Sequence, residues 1–239
     1  MDKKDSKLCI LVAAKKEFAL KGYDGARLVV IARNAGLPQA LIHYYFHTKE
    51  ELYVAVLEWL HEKKGDLQFF DYIASVPLTH SQRLYATLYY MTQLVTKEQD
   101  PDLWRIMVIE ISTGHRHMKS IVDKFMLPLF ERIEEVIARG VRDGEFEHSD
   151  PFMVVVNLVS FMASYHQHLP YYKGTRMYEK SSGSDSFDRM SRFVIYNTFK
   201  SLAPGRDIPE VINLPLEVAL YIDKIIDSFP GSGEDRGGK

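Results

Sequence analysis

The chain has 239 residues, 46% of them hydrophobic and 26% charged, with a formal net charge of −2. That composition suits a globular protein with one or two cores and excludes binding to nucleic acid or membranes through bulk charge alone. The single cysteine, Cys9, excludes an intramolecular disulfide and any thiolate metal cluster.

The first helix is expected over residues 6–21, where Ile10, Leu11, Ala13, Ala14 and Phe18 recur at helical spacing and Gly22 stops the pattern. The residues before it are charged and lack the apolar run of a signal peptide, so a cytoplasmic location is expected. Helix two is expected over residues 27–34, capped by Asp24 or Gly25, with Ile31 and Ala32 facing inward. Asn34, Ala35 and Gly36 make a tight break, because Gly36 takes a positive φ without steric cost. Leu37 closes over it. Pro38 opens helix three, over residues 38–44, where its missing N–H costs nothing. Thr48 and Glu51 form a capping box for helix four, which buries Leu52, Val56, Leu57 and Leu60 and runs to about residue 65.

Residues 69–78 read as less regular chain. Thr79 and Gln82 form a second capping box, and helix five follows to residue 97. Asp100 and Pro101 start helix six, which ends at 112 or 113 before Gly114. A long helical pattern over residues 116–143 carries Pro128 inside it, where a kink or split is expected; Gly144 stops it. Asp150 and Pro151 repeat the capped start for helix eight, to residue 169. Residues 171–185 read as a loop, helix nine spans 186–202 and a last helix lies near 215–228. No β-branched stretch alternates between hairpin turns. The expected fold is all-α, with a helix-turn-helix DNA-binding domain over residues 1–49. Helix four joins it to a larger helical ligand-binding and dimerisation domain over residues 50–229, followed by a disordered tail, 230–239.

The charge is unevenly spread. Residues 1–50 carry nine lysines and arginines against five acidic residues, a balance of +4, which leaves −6 on the remainder. A basic head on an acidic body suits a protein that presents one end to phosphates. In a helix-turn-helix the exposed residues of the second helix meet base edges and phosphates. The candidates are Gln39, whose amide pairs with adenine N6 and N7, and Ala40 and Leu41, which suit a thymine methyl. His43, Tyr44 and Tyr45 offer donors to phosphate oxygens, and Lys49 adds a charge at the start of helix four, where backbone N–H groups favour an anion. Tyr45, with Phe46, reads first as core packing.

From Ile10 to Leu52 the chain resembles the DNA-binding domain of the TetR family of transcriptional regulators. The resemblance rests on Ile10, Ala13, Ala14, Phe18, Gly22-Tyr23, Ile31-Ala32, Ala35-Gly36, Tyr45-Phe46, Lys49-Glu50 and Leu52, in the family's order and spacing. It implies a homodimeric regulator, a repressor by expectation, in which a bound inducer shifts the DNA-binding heads apart. The chain departs from the family pattern where a Ser or Thr usually opens helix two. Ala26 and Arg27 stand there, and Arg27 is expected to take over the hydroxyl's phosphate contact. The family's frequent Tyr in helix three is His43 here, and its small-polar-then-glycine start is Pro38-Gln39-Ala40. These departures bear on the operator sequence and leave the fold alone.

Helix eight is apolar nearly all round and so buries more than one side. A homodimer through helices eight and nine is expected, with a monomeric bundle as the alternative. Trp104, Met107, Phe125, Phe161 and Tyr165 are candidates to line a pocket for a small apolar or amphipathic inducer, with His168 and Tyr165 as polar anchors; each also reads as plain core. His115/His117 and His166/His168 are two apart and share no helical face, so no metal is expected. No phosphate loop, dinucleotide fingerprint or nucleophile motif occurs, so neither an enzyme nor a cofactor is expected. The alternative function is a helical ligand-binding or protein-interaction module without DNA binding. The expected partners are an operator duplex, a second copy and an inducer, with no membrane.

Overall fold

The computed structural model describes residues 3–62, 66–97, 101–147, 150–182, 186–203 and 212–227, and every regular element among them is helical. The expected cap at Asp100, the end of helix four near residue 65 and the tail at 230–239 lie outside the described residues. The chain divides into two compact units, Met1–Lys64 with Asp100–Leu127, and Gly65–Gln99 with Pro128–Lys239.

In the first unit, α1 (Lys3–Gly25) departs from helical geometry at Gly22, φ 67°. It packs against α2 (Leu28–Ala35), α4 (Lys49–Glu62) and α7 (Pro101–Ser112), so its apolar residues serve more than one face. Ile10, Phe18, Ile31, Ile42, Leu52, Leu57 and Ile106 close this core. Neither Asp24 nor Gly25 caps α2. Its N-cap is Arg27, extended and without a side-chain cap bond. The Arg27 N–H donates instead to Glu17 Oε1 of α1 at 3.4 Å, placing a buried carboxylate at the positive end of a helix. At the other end Gly36 adopts φ 68° and ψ 29°. Leu37 N–H then donates to Ala32 O at 3.0 Å and Gly36 N–H to Arg33 O at 3.1 Å, the paired bonds of a glycine-capped helix end. The chain turns there into α3 (Gln39–Phe46), with Pro38 as N-cap. Thr48 Oγ1 accepts the Glu51 N–H at 3.1 Å and starts α4.

The expected long helix over 116–143 is resolved into α8 (Lys119–Ile121), a π-helical turn (Val122–Met126) and α9 (Leu127–Arg142). Pro128 has no N–H for a carbonyl one turn back, and its ring crowds that oxygen. Widening the preceding turn keeps the backbone helical across the proline.

The second unit is built on α6 (His80–Lys97), which touches α5 (Asp66–Ser75), α10 (Pro151–His168), α12 (Ser186–Leu202) and α13 (Leu216–Asp227). Phe69 stacks on Tyr90, ring centroids 4.0 Å apart, and Ile73, Leu84, Leu88, Ile137, Phe199 and Ile222 complete the core. Two expectations are corrected. Residues expected to be irregular form most of α5, with Phe69, Phe70 and Ile73 buried on one side. The expected loop after residue 170 contains a 3-10 turn (Leu169–Tyr172) and α11 (Arg176–Ser182), whose first turn is capped by Thr175 Oγ1 on the Tyr178 N–H at 3.4 Å. The second capping box forms in both directions: Gln82 Oε1 takes the Thr79 N–H and Thr79 Oγ1 the Gln82 N–H, each at 3.1 Å. Asp150 Oδ1 accepts the Met153 N–H at 3.3 Å, as its place before Pro151 implies.

Candidate nucleic-acid interface

Burying Ile42 and Phe46 fixes which way α3 faces. Gln39, Ala40, His43 and Tyr44 are then exposed together on its outer side. Leu41 and Tyr45 are half-buried against the core, so most of Leu41 is unavailable to a thymine methyl. Tyr45 sits between the rings of Tyr44 and Phe46, at 5.1 and 6.3 Å. Gln39 Nε2 lies 3.4 Å from His43 Nε2, and His43 Nδ1 lies 3.3 Å from the His47 carbonyl. A carbonyl only accepts, so Nδ1 carries the proton and Nε2 accepts from the Gln39 amide.

Arg27 is exposed at the start of α2, and Arg33 is exposed near its end. Lys49 is half-buried: its ammonium lies 4.8 Å from the Tyr23 ring centroid and donates to Asp24 O at 3.3 Å. Local contacts therefore hold this charge in place at the first turn of α4. Burial, then Glu50 and Asp24, push the Tyr23 phenol above its ordinary value.

Behind Tyr23 lies a polar cluster that the sequence reading missed. Glu110 of α7 is buried, and it accepts from the His117 N–H at 3.1 Å and pairs with His117 Nδ1 at 2.9 Å. The imidazole packs against Tyr23 and Tyr53, centroids at 4.3 and 4.8 Å. Burial alone would raise the Glu110 carboxyl; the His117 bonds and Tyr53 offset it and hold it below the usual carboxylate range. Burial and Glu110 push the Tyr53 phenol up. The available signal was a lone Glu among Ile106, Met107 and Ile109, followed by a His after a glycine break. A second polar tie joins α4 to α8 and the π-helical turn. Glu58 Oε1 accepts from Ser120 Oγ at 2.5 Å and Lys124 Nζ at 2.6 Å.

The candidate ligand residues divide between the units. Met107 and Phe125 pack against the first core. Phe161 and Tyr165 pack against the second, their ring centroids 6.5 Å apart. His168 is exposed, 6.2 Å from the Tyr171 ring. The Trp104 side chain lies outside the described residues. The expected helices eight and nine are α10 and α12, which meet through Phe161 and Phe193 at 5.5 Å. Together they expose Phe152, Met153, Val156, Phe193 and Tyr196. No helix among the described residues is long and apolar enough to cross a membrane.

Residues 10–56 match the family model described as bacterial regulatory proteins, tetR family, and residues 89–195 match the one described as tetracyclin repressor-like, C-terminal domain. The HTH-type transcriptional regulator RutR of Escherichia coli (strain K12) is 28% identical over 150 residues, which are 61% of this chain and 66% of RutR. That match spans just under two thirds of the relative's length. Two solved structures share the fold. AibR in complex with isovaleryl coenzyme A and operator DNA has a TM-score of 0.60 at 17% identity, covering 82% of this chain and 100% of its own. The regulator FadR from Bacillus subtilis, in complex with stearoyl-CoA, has a TM-score of 0.58 at 15% identity, covering 82% and 98%.

Proposed function

The chain belongs to the TetR family of bacterial regulatory proteins, and from that premise we propose that it binds operator DNA as a homodimer and leaves it when a small apolar or amphipathic ligand binds. The observation that carries the DNA reading is the outer side of α3. Gln39, Ala40, His43 and Tyr44 are solvent-exposed on a helix whose other side is locked into the core, with Arg27, Arg33 and Lys49 in the same unit. Gln39 and Ala40 meet bases. His43, Tyr44, the edge of Tyr45, Arg27 and Lys49 meet phosphates. Repression follows when such a dimer covers a promoter, and the site of action is the cytoplasm.

The homodimer is supported by the exposed apolar face of α10 and α12, since two helices doubled by a two-fold axis make a four-helix interface. The ligand reading is supported by the acyl-CoA complexes of AibR and FadR, which share only the fold. A ligand releases DNA only by preferring the conformation that does not bind it. Helix α4 is the lever, because Lys49 at its start meets phosphate and Glu58 further along is tied to Ser120 and Lys124. Tilting it changes the spacing of two recognition helices that must match about 34–36 Å of duplex.

The test is binding to DNA from upstream of the protein's own gene, measured by fluorescence anisotropy over a salt series. Affinity that falls steeply with salt is expected, with a logarithmic slope of about −0.9 per phosphate neutralised. No binding, or salt-independent binding, would leave a ligand or protein module without DNA.

A further inference from the structure

We propose that the cleft walled by α5, α6 and α9 in the second unit holds the anionic head, carboxylate or phosphate, of an amphipathic ligand. This rests on the ligand-responsive reading above and names its chemical class. The cleft has a volume of about 340 Å³, at the small end for ligand sites. Phe70, Ile73 and Val136 give it an apolar wall, while Arg83, Arg132 and Arg139 line it together with two carboxylates, Asp71 and Glu135.

The three arginines are not equivalent. Arg132 pairs with Asp71 at 2.8 Å and Arg139 with Glu135 at 2.5 Å. Arg83 donates Nη1 to the Ile73 carbonyl and Nη2 to the Val76 carbonyl, the latter at 2.7 Å. Those acceptors are neutral. They hold the guanidinium still and leave its charge uncompensated, and no carboxylate pairs with it among the described residues. Burial first, and Arg139 second, act against the charged form. With Asp71 and Glu135 answering Arg132 and Arg139, the positive charge left over is that of the partly buried, immobilised Arg83, and it favours an incoming anion. The guanidinium fork suits the two oxygens of a carboxylate or phosphate, and the ligand's apolar part then lies along Phe70, Ile73 and Val136. His80, also on the wall, pairs through Nε2 with Asp143 at 2.7 Å, while its buried Nδ1 has no hydrogen-bond partner among the described residues. The permanent charge for an anion comes from the arginines.

Calorimetric titration of the full chain with octanoate, octyl phosphate and octanol tests this. One anion is expected to bind about tenfold or more tightly than octanol, and the tighter of the two identifies the head group. Arg139→Gln keeps the fold, since Arg139 is exposed, and weakens that anion about tenfold while leaving octanol unchanged. Arg83→Gln weakens it further, with circular dichroism checking that the variant is folded. Equal binding of anions and octanol, no binding of either anion at millimolar concentration, or unchanged anion affinity in Arg139→Gln overturns the proposal. The same solutions are tested against upstream DNA. A bound anion that leaves DNA affinity unchanged sinks the inducer reading and supports the cleft. Octanol releasing DNA while neither anion binds sinks the cleft and supports the inducer reading.

Discussion

His117 gives the Glu110 carboxylate two contacts, its backbone N–H to Oε2 at 3.1 Å and its Nδ1 to Oε1 at 2.9 Å. The carboxylate only accepts, so Nδ1 carries a proton. The pair lies in the core that also holds the helix-turn-helix. The His117 imidazole touches Tyr23, and Tyr23 carries the Lys49 ammonium on its ring. A buried hydrogen-bonded pair of Glu110 and His117 thus reaches a phosphate-contact candidate through a single aromatic ring.

Breaking this pair leaves a buried carboxylate short of a partner. His117→Ala is expected to destabilise the protein by about 3 kcal/mol. Because the folded Glu110 carboxyl sits below its ordinary value, the stability it contributes is full above the unfolded pKa, roughly 4.3. It is lost as pH falls through the lower, folded value. The Glu110→Gln variant has no such charge to lose. Thermal melts from neutral pH down should therefore show wild type ahead at neutrality and the gap closing in acid. A gap that is constant with pH would rule out the Glu110 charge as the source of the stability.

Much of the head was readable because its signals are local. Gly36, Leu37 and Pro38 specify a helix end, its closure and the next start within three neighbours, and Ile10, Phe18 and Ile31 mark the buried sides. What escaped depends on residues distant in sequence. Glu17 caps α2 only because α1 lies beside it, and Glu110 meets His117 across the Gly114 break. That same histidine pattern in sequence raised only a metal question. The short α5 was missed because one buried side of Phe69, Phe70 and Ile73 is too brief to show a period. The aromatic excess of the body could not separate core from cavity. Met107 and Phe125 fill one core, Phe161 and Tyr165 another, while the cationic cleft is made by arginines that no motif links.

Gly140 lies inside α9, where glycine is ordinarily about 1 kcal/mol worse than alanine. The Phe146 ring occupies the space a Cβ would need, and the Phe146 N–H donates to Gly140 O at 3.0 Å. Packing outweighs propensity there. Gly140→Ala should lower stability by about 1–2 kcal/mol in urea titration, since overpacking a filled site costs about 1–3. A variant more stable than wild type would mean that Phe146 has room to move.

Met153 and Phe193 are 56% and 55% exposed, so a charge at either meets solvent in a single protomer. Met153→Glu and Phe193→Glu are expected to fold normally and sediment as monomers where wild type sediments as a dimer, because each buries an unpaired carboxylate in the interface. Wild type sedimenting as a monomer at micromolar concentration would count decisively against this interface, as would both variants remaining dimeric.

The α3 surface makes the sharpest test of the DNA reading. Nδ1 of His43 faces the His47 carbonyl, so Nε2 accepts one N–H of Gln39. The amide keeps its oxygen and its second N–H, the acceptor and donor that adenine N6 and N7 require. His43 therefore orients Gln39, besides being a proposed phosphate contact. Gln39→Ala should lose roughly 1–3 kcal/mol at a single base position and relax specificity there. His43→Ala should lose part of the same discrimination, and the double variant should lose less than the sum, because the two side chains act as one unit. Lys49→Ala should instead weaken every sequence alike and flatten the salt slope by about one unit. These variants are compared by titrating each protein against a panel of single-base operator variants at several salt concentrations. Strict additivity of Gln39→Ala and His43→Ala would dissolve the orienting role, and unchanged affinity in Gln39→Ala and Lys49→Ala together would remove α3 and its flank from the interface.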